Sequence, residues 1–311
     1  SATPRYQKVG PGISNIMGTL PPHSWQVGRG KDAGTYHGAN GTNGSNGGTY
    51  SGIFGRSGTA ASSSSRPRAG RESRPAQLLE DGVSYQGEWC GALRDGEGIA
   101  TLPDGGRFEG QFVQDRAEGF GTFTKSSGDV YEGQWVNNQA DGEGVYKGRD
   151  GRMYNGQWQC DTQEGMGTET SADGTKYSGG FRQGKKHGMG RFIWQDGSMY
   201  DGQFLDNSIH GEGVYIWCNG RKYEGQWRKE RMHGKGRYYF ANGCTYDGEY
   251  TNDHKSGQGI FTWADGRIYP DRLAWRMGKQ HGYGVMTNSD GLEKRGLWED
   301  GRWVADHPGH R

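Results

Sequence analysis

The pentapeptide YEGQW occupies Tyr131–Trp135 and returns unchanged at Tyr223–Trp227, 92 residues further along the chain. Ninety-two is four times 23, and an aromatic residue stands at every 23-residue step between the two copies. These aromatic residues, which we call openers and number as position 0 of each unit, are Tyr85, Phe108, Tyr131, Tyr154, Tyr177, Tyr200, Tyr223, Tyr246 and Tyr269. A spacing held over nine units indicates a repeat architecture.

Each unit carries the same signals for a pair of strands. A glycine at position 2 and an aromatic residue at position 4 follow the opener, as in Gly133 and Trp135. Alternation places both rings on one face of a strand, and the glycine leaves room for a neighbouring ring or backbone. We therefore assign Tyr131, Gly133 and Trp135 to packing within the repeat rather than to binding. The same holds for the second copy, at Tyr223, Gly225 and Trp227.

Turn signals close the unit at both ends. A Gly-x-Gly pair, such as Gly142 and Gly144, precedes an Asp-Gly step such as Asp150-Gly151. Asp-Gly or Asn-Gly before the next opener predicts a tight hairpin turn, because such turns need positive φ. The middle of the unit, NSIHGEG at 207–213 for example, supplies the other turn. Each unit is thus a β-hairpin that cannot bury its ring face alone, so stacking must supply the missing wall.

Two segments show the repeat most fully: KYSGGFRQGKKHGMGRFIWQDG at Lys176–Gly197 and KYEGQWRKERMHGKGRYYFANG at Lys222–Gly243. The pattern resembles the MORN repeat over about residues 85–303. The resemblance implies an all-β fold, an elongated single-layer antiparallel array of nine to ten hairpins. The ninth unit has two extra residues before Trp275, and Gly296 and Trp298 fit a partial tenth unit from residue 294.

Composition divides the chain into an arm, the array at 81–303 and a tail at 304–311. Residues 1–80 carry nine Lys/Arg against three Asp/Glu and are rich in Gly, Ser and Asn. Such a segment has too little apolar surface to offset its ordering entropy, so we expect the array or a partner to order it. The basic residues that we expect to make these arm contacts are Arg66, Arg68, Arg71 and Arg74.

The first and second halves of the array differ at two positions. Position 10 changes from acidic residues to histidine after the fourth unit, reading Asp95, Glu118, Asp141, Glu164, His187, His210, His233 and Ser256. Position 17 becomes aromatic at the same point, reading Leu102, Lys125, Gly148, Ser171, Trp194, Trp217, Phe240 and Trp263. Residues 85–176 hold 16 acidic and eight basic side chains, whereas residues 177–268 hold ten and 13.

An aromatic, mildly basic second half is typical of a protein-docking face. The candidate docking residues are Trp194, Trp217, Phe240, Trp263, Arg191 and Arg237. The alternative is that the four rings fill a groove closed by the twist of the sheet. The acidic first half would face a basic segment, such as the arm of this chain.

Catalytic and metal chemistry are not indicated. Histidines in one column would lie roughly 9–10 Å apart, too far to share a zinc ion. The stretch from Gly179 to Lys186 resembles a phosphate-binding loop but lacks the final hydroxyl residue and lies in a predicted hairpin. Turn chemistry explains the recurrent aspartates Asp104, Asp150 and Asp173. We predict no enzyme activity, no cofactor and no metal site.

The remaining classes are binding functions. The short basic run in the arm is a poor nucleic-acid footprint, and no apolar run is long enough to span a membrane. The resemblance to the MORN repeat implies a scaffold that binds other subunits of a multi-protein complex. The setting we expect is the cilium or flagellum axoneme, in the radial spoke region.

Alternatives to that setting remain open. The chain could be a phosphoinositide-binding tether at a membrane–cytoskeleton junction, with weak contacts to anionic lipid. It could also be an accessory subunit of an organellar complex. Ser1 is expected to follow removal of the initiator methionine, but cleavage of an organelle presequence would leave the same start.

Overall fold

Consecutive strands pair antiparallel along the chain, so each unit is a hairpin whose second strand pairs with the first strand of the next unit. The computed structural model describes residues 70–269, 274–287 and 290–306, which contain 22 strands and no helix. The strands are β1 Arg71–Leu78, β2 Ser84–Cys90, β3 Leu93–Thr101, β4 Arg107–Val113, β5 Arg116–Thr124, β6 Val130–Val136, β7 Gln139–Lys147, β8 Met153–Gln159, β9 Thr162–Thr170, β10 Lys176–Arg182, β11 Lys185–Ile193, β12 Met199–Leu205, β13 Ser208–Ile216, β14 Lys222–Arg228, β15 Arg231–Tyr239, β16 Thr245–Thr251, β17 His254–Thr262, β18 Ile268–Tyr269, β19 Ala274–Arg276, β20 Lys279–Thr287, β21 Glu293–Glu299 and β22 Arg302–Asp306. The predicted all-β hairpin array is confirmed.

One face of the sheet, here called the ring face, carries a continuous row of aromatic rings. The openers and the position-4 aromatics touch edge to face, alternately within a unit and across to the next. Tyr131, for example, lies 5.2 Å from Trp135 and 5.1 Å from Trp158, centroid to centroid. The row, here called the first ladder, runs from Trp89 to Trp275. Such pairs contribute about 0.5–1.5 kcal/mol each beyond area burial, so the ladder is the core.

The repeat has glycine at these positions because the opener ring and the neighbouring backbone leave no space for a side chain. A methyl group on Gly144 would stand 2.3 Å from Oη of Tyr131, and one on Gly133 would stand 2.5 Å from Cα of Gly144. The Tyr131 hydroxyl donates a hydrogen bond to the carbonyl of Gln134 at 2.9 Å. Nε1 of Trp135 donates to the carbonyl of Gly121 in the preceding unit at 3.0 Å.

The second copy of the pentapeptide makes the same contacts. The Tyr223 hydroxyl donates to the Gln226 carbonyl at 3.0 Å, and Nε1 of Trp227 donates to the Gly213 carbonyl at 3.1 Å. A methyl group on Gly236 would stand 2.3 Å from Oη of Tyr223. The pentapeptide therefore recurs because each copy meets the same environment.

The two kinds of turn exchange the roles expected from sequence. The turn with two residues at positive φ lies between the two strands of a unit, at positions 6 and 7, as at Asn137 (52°) and Asn138 (65°). At the Asp-Gly loops only the glycine has positive φ, as at Gly151 (87°), and its N–H donates to the carbonyl of Gly148. Oδ1 of Asp150 accepts from the Arg152 N–H at 3.0 Å. The predicted positive-φ pair thus lies at the other end of the hairpin, where Asn, Asp and Gly tolerate it.

The boundaries of the array extend beyond those expected from sequence. Residues 71–78, assigned to the arm, form β1, which pairs with the free edge of β2. At the other end β22 continues to Asp306, three residues into the assigned tail. Trp303 covers this end by packing on Gly296 and edge to face on Trp298, with a centroid distance of 5.3 Å. Pairing at each edge of the sheet extends the array because it satisfies backbone groups that the terminal units would leave open.

The ninth unit is the one irregular unit among the described residues. Its first strand is divided into β18 and β19, on either side of residues 270–273, and both pieces lie between β17 and β20. The two extra residues before Trp275 are thereby accommodated without loss of the following pairing. The stretch YSGIF at Tyr50–Phe54, whose Tyr-x-Gly spacing resembles the start of a unit, lies outside the described residues.

Candidate protein-docking face

A continuous second row of rings lies beside the first ladder in units five to eight, whereas units two and three have one buried ring each at position 15, Phe123 and Tyr146, and none at position 17. It consists of the residues at positions 15 and 17, which contact one another in sequence order: Phe192, Trp194, Tyr215, Trp217, Tyr238, Phe240, Phe261 and Trp263. We call this row the second ladder. Its centroid distances run from 4.5 Å between Tyr215 and Trp217 to 5.7 Å between Phe240 and Phe261.

The position-17 rings of the second ladder are half-buried. Trp194, Trp217 and Phe240 pack on the core but keep part of their surface open, and Trp263 does the same beside Trp298. The structure therefore brings the four predicted rings together on one face. Because each ring packs on its neighbours, part of its surface belongs to the fold, and the open remainder is what a partner can contact.

Two arginines extend this surface. The guanidinium of Arg221 lies 5.4 Å from the Trp217 ring centroid, and that of Arg267 lies 5.3 Å from the Trp263 centroid. Cation–π contacts of this kind are worth about 0.5–1 kcal/mol at exposed sites. Sequence reasoning missed both residues, although both stand two residues after an Asn or Asp of the loop that the aromatic residue begins.

Arg191 and Arg237 do not join the aromatic face. Phe192 is buried while its neighbours Arg191 and Ile193 are exposed, so strand alternation turns Arg191 to the opposite face, here called the outer face. There Nε of Arg191 donates to Asp201 at 2.9 Å, and Nε of Arg237 donates to Asp247 at 2.8 Å. Each arginine is therefore held in a cross-strand ion pair and is separated from the tryptophans by the sheet.

Two of the predicted arm residues contact the first unit. A guanidinium nitrogen of Arg71 lies 2.6 Å from Asp95, with both side chains mostly buried. Arg74 donates to the Gly91 carbonyl at 2.8 Å, and its guanidinium lies 5.1 Å from the Trp89 ring centroid. Arg66 and Arg68 lie outside the described residues.

Position 10 serves the turn of the next hairpin. In the first half its carboxylate accepts the N–H of the first turn residue, as Glu118 does from Asn137 at 3.0 Å and Asp141 from Cys160 at 3.1 Å. In the second half the imidazole occupies that place, and Nδ1 of His187 is buried 3.9 Å from a carboxylate oxygen of Asp206. Among the described residues, no group of three or more His, Cys, Asp or Glu side chains could hold a metal ion.

Two buried lysines are functional candidates that the sequence analysis missed. Both stand at position 9, which is buried in every one of the first eight units and where the other six have Arg94, Ala117, Ala140, Gln163, Ile209 and Met232. Nζ of Lys186 lies 2.6 Å from Glu169, which replaces the aromatic residue at position 15 of unit four. Burial lowers the pKa of Lys186, and the Glu169 carboxylate counteracts that effect. The Gly179–Lys186 stretch is thus part of a hairpin with its lysine committed to the core.

Lys255 occupies a different environment. Its amine lies 4.5–5.0 Å from four ring centroids, those of Phe240, Tyr246, Phe261 and Trp275. Burial lowers the pKa of Lys255 to about 7, with a small opposing contribution from Cys244. Position 9 mixes apolar, polar and charged residues, including the equally buried Arg94 and Gln163, so no break in the column could have identified the two lysines from sequence.

Comparison with known proteins assigns the family. Nine segments match the MORN repeat family and together span more than half of the chain, at residues 85–107, 108–130, 131–151, 154–176, 177–199, 200–220, 223–245, 246–266 and 274–293. The chain therefore belongs to the MORN repeat family. MORN repeats indicate an interaction scaffold, for proteins or for membranes. No curated protein matches the chain.

Some solved structures resemble the chain slightly. The TCP domain of SAS-4 from Drosophila melanogaster, in complex with a proline-rich motif of Ana2, aligns with 58% of this chain and 84% of its own, at 9% identity and a TM-score of 0.27. A streptogramin B lyase aligns with 76% of this chain and 85% of its own, at 11% identity and a TM-score of 0.15. Likenesses at these TM-scores carry no argument about function. Within the described residues, no helix is long and apolar enough to cross a membrane.

Proposed function

We propose that this chain is a non-enzymatic scaffold that docks another protein on its second ladder, as a subunit of a larger assembly. The observation that carries the proposal is the run of half-buried aromatic rings confined to units five to eight. The first ladder, with at most one further ring per unit at position 15, suffices to build hairpins, because units one to four fold without a ring at position 17. The additional rings therefore offer surface beyond what the repeat requires.

The chemistry of the face fits a protein partner. Tryptophan and arginine dominate the energetic centres of protein interfaces, and here Arg221 lies on Trp217 and Arg267 on Trp263. A partner with aliphatic or aromatic side chains would cover the open ring surface, and its carboxylates would reach the guanidinium of Arg221 directly and that of Arg267 in competition with Asp265, which lies 2.8 Å from it. The proposed partner is thus an apolar segment flanked by acidic residues.

Substitutions in the two halves of the array test this function. Trp217→Ser with Trp263→Ser should reduce recovery of partner proteins by the full chain from native extracts by at least about tenfold. Phe120→Ser is the matched control, because Phe120 is an exposed aromatic residue, 62% accessible, in the first half. Arg221→Ala with Arg267→Ala leaves every ring in place and should weaken binding without altering the melting temperature. Unchanged partner recovery by both double variants would refute the docking proposal.

The proposed setting is the axoneme of a cilium or flagellum, in the radial spoke region. Its support is the occurrence of MORN arrays in such assemblies. Cell fractionation with cross-linking mass spectrometry tests the setting: axonemal partners on residues 190–265 are expected. Recovery with a membrane junction or an organellar complex would replace it with one of those alternatives, and flotation with phosphoinositide vesicles measures the membrane alternative directly.

A further inference from the structure

Two-residue turns join the two strands of each unit and follow one another along one long side of the array. We call these turns, together with the residue on each side of every turn, the turn rim. In units five, seven and nine these flanking residues are both basic and directly opposite each other. The pairs are Arg182 with Lys185, Arg228 with Arg231, and Arg276 with Lys279. All six side chains are exposed. Like charges directly opposite each other destabilise a strand pair, so the fold itself does not call for them.

The first half of the array lacks this feature. Its corresponding pairs are Cys90 with Leu93, Val113 with Arg116, Val136 with Gln139, and Gln159 with Thr162. Units six and eight, between the basic pairs, have Leu205 with Ser208 and Thr251 with His254. The cation pairs therefore alternate along the second half rather than covering it.

The basic pairs of units five and seven form no direct ion pair among the described residues, although Arg231 interacts electrostatically with Asp253 of unit eight. Across the described residues, no carboxylate oxygen lies within 4.0 Å of the charged nitrogens of Arg182, Lys185, Arg228 or Arg231. In unit nine, Arg276 lies 3.3 Å from Asp300, with both side chains 61% accessible. Two basic pairs without a direct ion pair, and a third pair in which Arg276 contacts Asp300, thus lie along the turn rim.

The turn of unit seven adds an independent observation. Lys229 (φ 50°) and Glu230 (φ 65°) both adopt the left-handed conformation. Every other two-residue turn of the described array has Asn, Asp or Gly in at least one of its two positions. Strain that neighbouring units avoid points to selection for something other than folding. Lys229 adds a third cation beside Arg228 and Arg231, against the single carboxylate of Glu230 in the same turn, and the three cations line a shallow cleft with Asn252.

Spacing defines the shape of the anionic ligand. Two units contain four strands, so successive basic pairs stand roughly 19 Å apart, at about 4.8 Å per strand. An extended chain covers that distance in about six residues, at about 3.3 Å each. Paired arginines bind carboxylates in a fixed, bidentate geometry. The exposed Asp206 of unit six lies between the first two pairs, and it would repel a uniformly anionic membrane surface.

We infer that the turn rim of units five to nine binds an extended segment of a partner protein that carries acidic clusters about six residues apart. This surface is separate from the second ladder, so the inference goes beyond the proposed docking function. The rim recognises charge and spacing, whereas the second ladder recognises apolar surface.

A peptide titration with the full chain tests the inference. The probe is a fluorescein-labelled peptide with three Glu-Glu pairs separated by four Gly/Ser residues, followed by fluorescence anisotropy at low salt. Arg228→Ser with Arg231→Ser should weaken binding by about tenfold. Arg191→Ser with Arg237→Ser removes the same charge from the outer face and should change affinity by less than about twofold.

Two outcomes would overturn the inference. The first is equal affinity of the rim variant and the outer-face variant for the peptide. The second is binding of phosphatidylserine vesicles, sensitive to the rim substitutions, by a chain that does not bind the peptide. The melting temperature of the rim variant should equal or exceed that of the parent chain, since a like-charge pair is removed. Failure here leaves the second-ladder variants unaffected, so the two proposals fail separately.

Discussion

Units one to four and units five to eight share one backbone plan but differ in what they build upon it. Both halves have the first ladder and the same hydrogen bonds from the position-4 ring, to Gly121 in the first half and to Gly213 in the second. The first half adds acidic side chains that cap the next turn. The second half adds the second ladder, two buried lysines and the cation pairs of the turn rim. The comparison separates what a MORN unit needs in order to fold from what it can carry besides.

The largest expected effect is loss of a first-ladder ring in either half. Trp135→Ala and Trp227→Ala should each reduce the free energy of unfolding by about 3–5 kcal/mol, because each deletes a buried ring and leaves a cavity. Denaturant unfolding measures the change, with Phe120→Ala as the exposed control. If Trp227→Ala lowered the free energy of unfolding much less than Trp135→Ala, the second ladder would contribute to the stability of the second half. The cores of the two halves would then not be equivalent.

The next effect concerns the junction between the halves. Glu169→Ala removes the carboxylate that lies 2.6 Å from the buried Lys186. Leaving one member of a buried ion pair without its partner costs about 3–5 kcal/mol. Glu169→Ala combined with Lys186→Met should restore most of the loss, as read from the unfolding midpoint. A double variant no more stable than Glu169→Ala would show that the pair is not what stabilises this junction.

The buried Lys255 predicts a pH dependence specific to the second half. Burial lowers its pKa to about 7 in the folded chain, whereas the unfolded chain keeps the ordinary value near 10.4. Between those values the unfolded state binds more protons, so stability rises with pH. We expect Lys255→Met to abolish a rise of a few kcal/mol, at about 1.4 kcal/mol per pH unit, between pH 7 and about 9.5. Thermal unfolding across that range measures it, and a variant with the parent's pH profile would exclude Lys255 as the source.

The smallest effect lies in the strained turn of unit seven. Lys229→Asn with Glu230→Gly should raise the free energy of unfolding by about 1–2 kcal/mol, because Asn and Gly tolerate the left-handed conformation. The reverse exchange in the first half, Asn137→Lys with Asn138→Glu, should lower it by at least as much, because it also removes the hydrogen bond that the Ala117 N–H donates to Oδ1 of Asn138 at 2.7 Å. Chemical denaturation of both variants sharpens the comparison, and changes of the same sign in the two halves would contradict the strain argument.

The candidate site was predictable from sequence only in part. The aromatic change at position 17 identified Trp194 and Trp217 without a structure, because a regular period aligns the units. Arg191 and Arg237 were grouped with them on charge alone. Residue type does not reveal which side of a strand a residue occupies relative to a loop residue two or three positions on. Their ion pairs with Asp201 and Asp247 lie on the other face.

The sequence by itself determined the architecture, since a 23-residue period of alternating rings and glycines admits a stack of hairpins whose rings share one face. It also determined the contrast between the halves, because the residue types at positions 10 and 17 of the repeat change after the fourth unit. Tertiary structure decided which opposite residues meet across strands: the pairing of Lys186 with Glu169, the aromatic surroundings of Lys255 and the facing cations of the turn rim. These depend on register and on bulges that shift it. The register between neighbouring strands is fixed only when each hairpin packs against the next one.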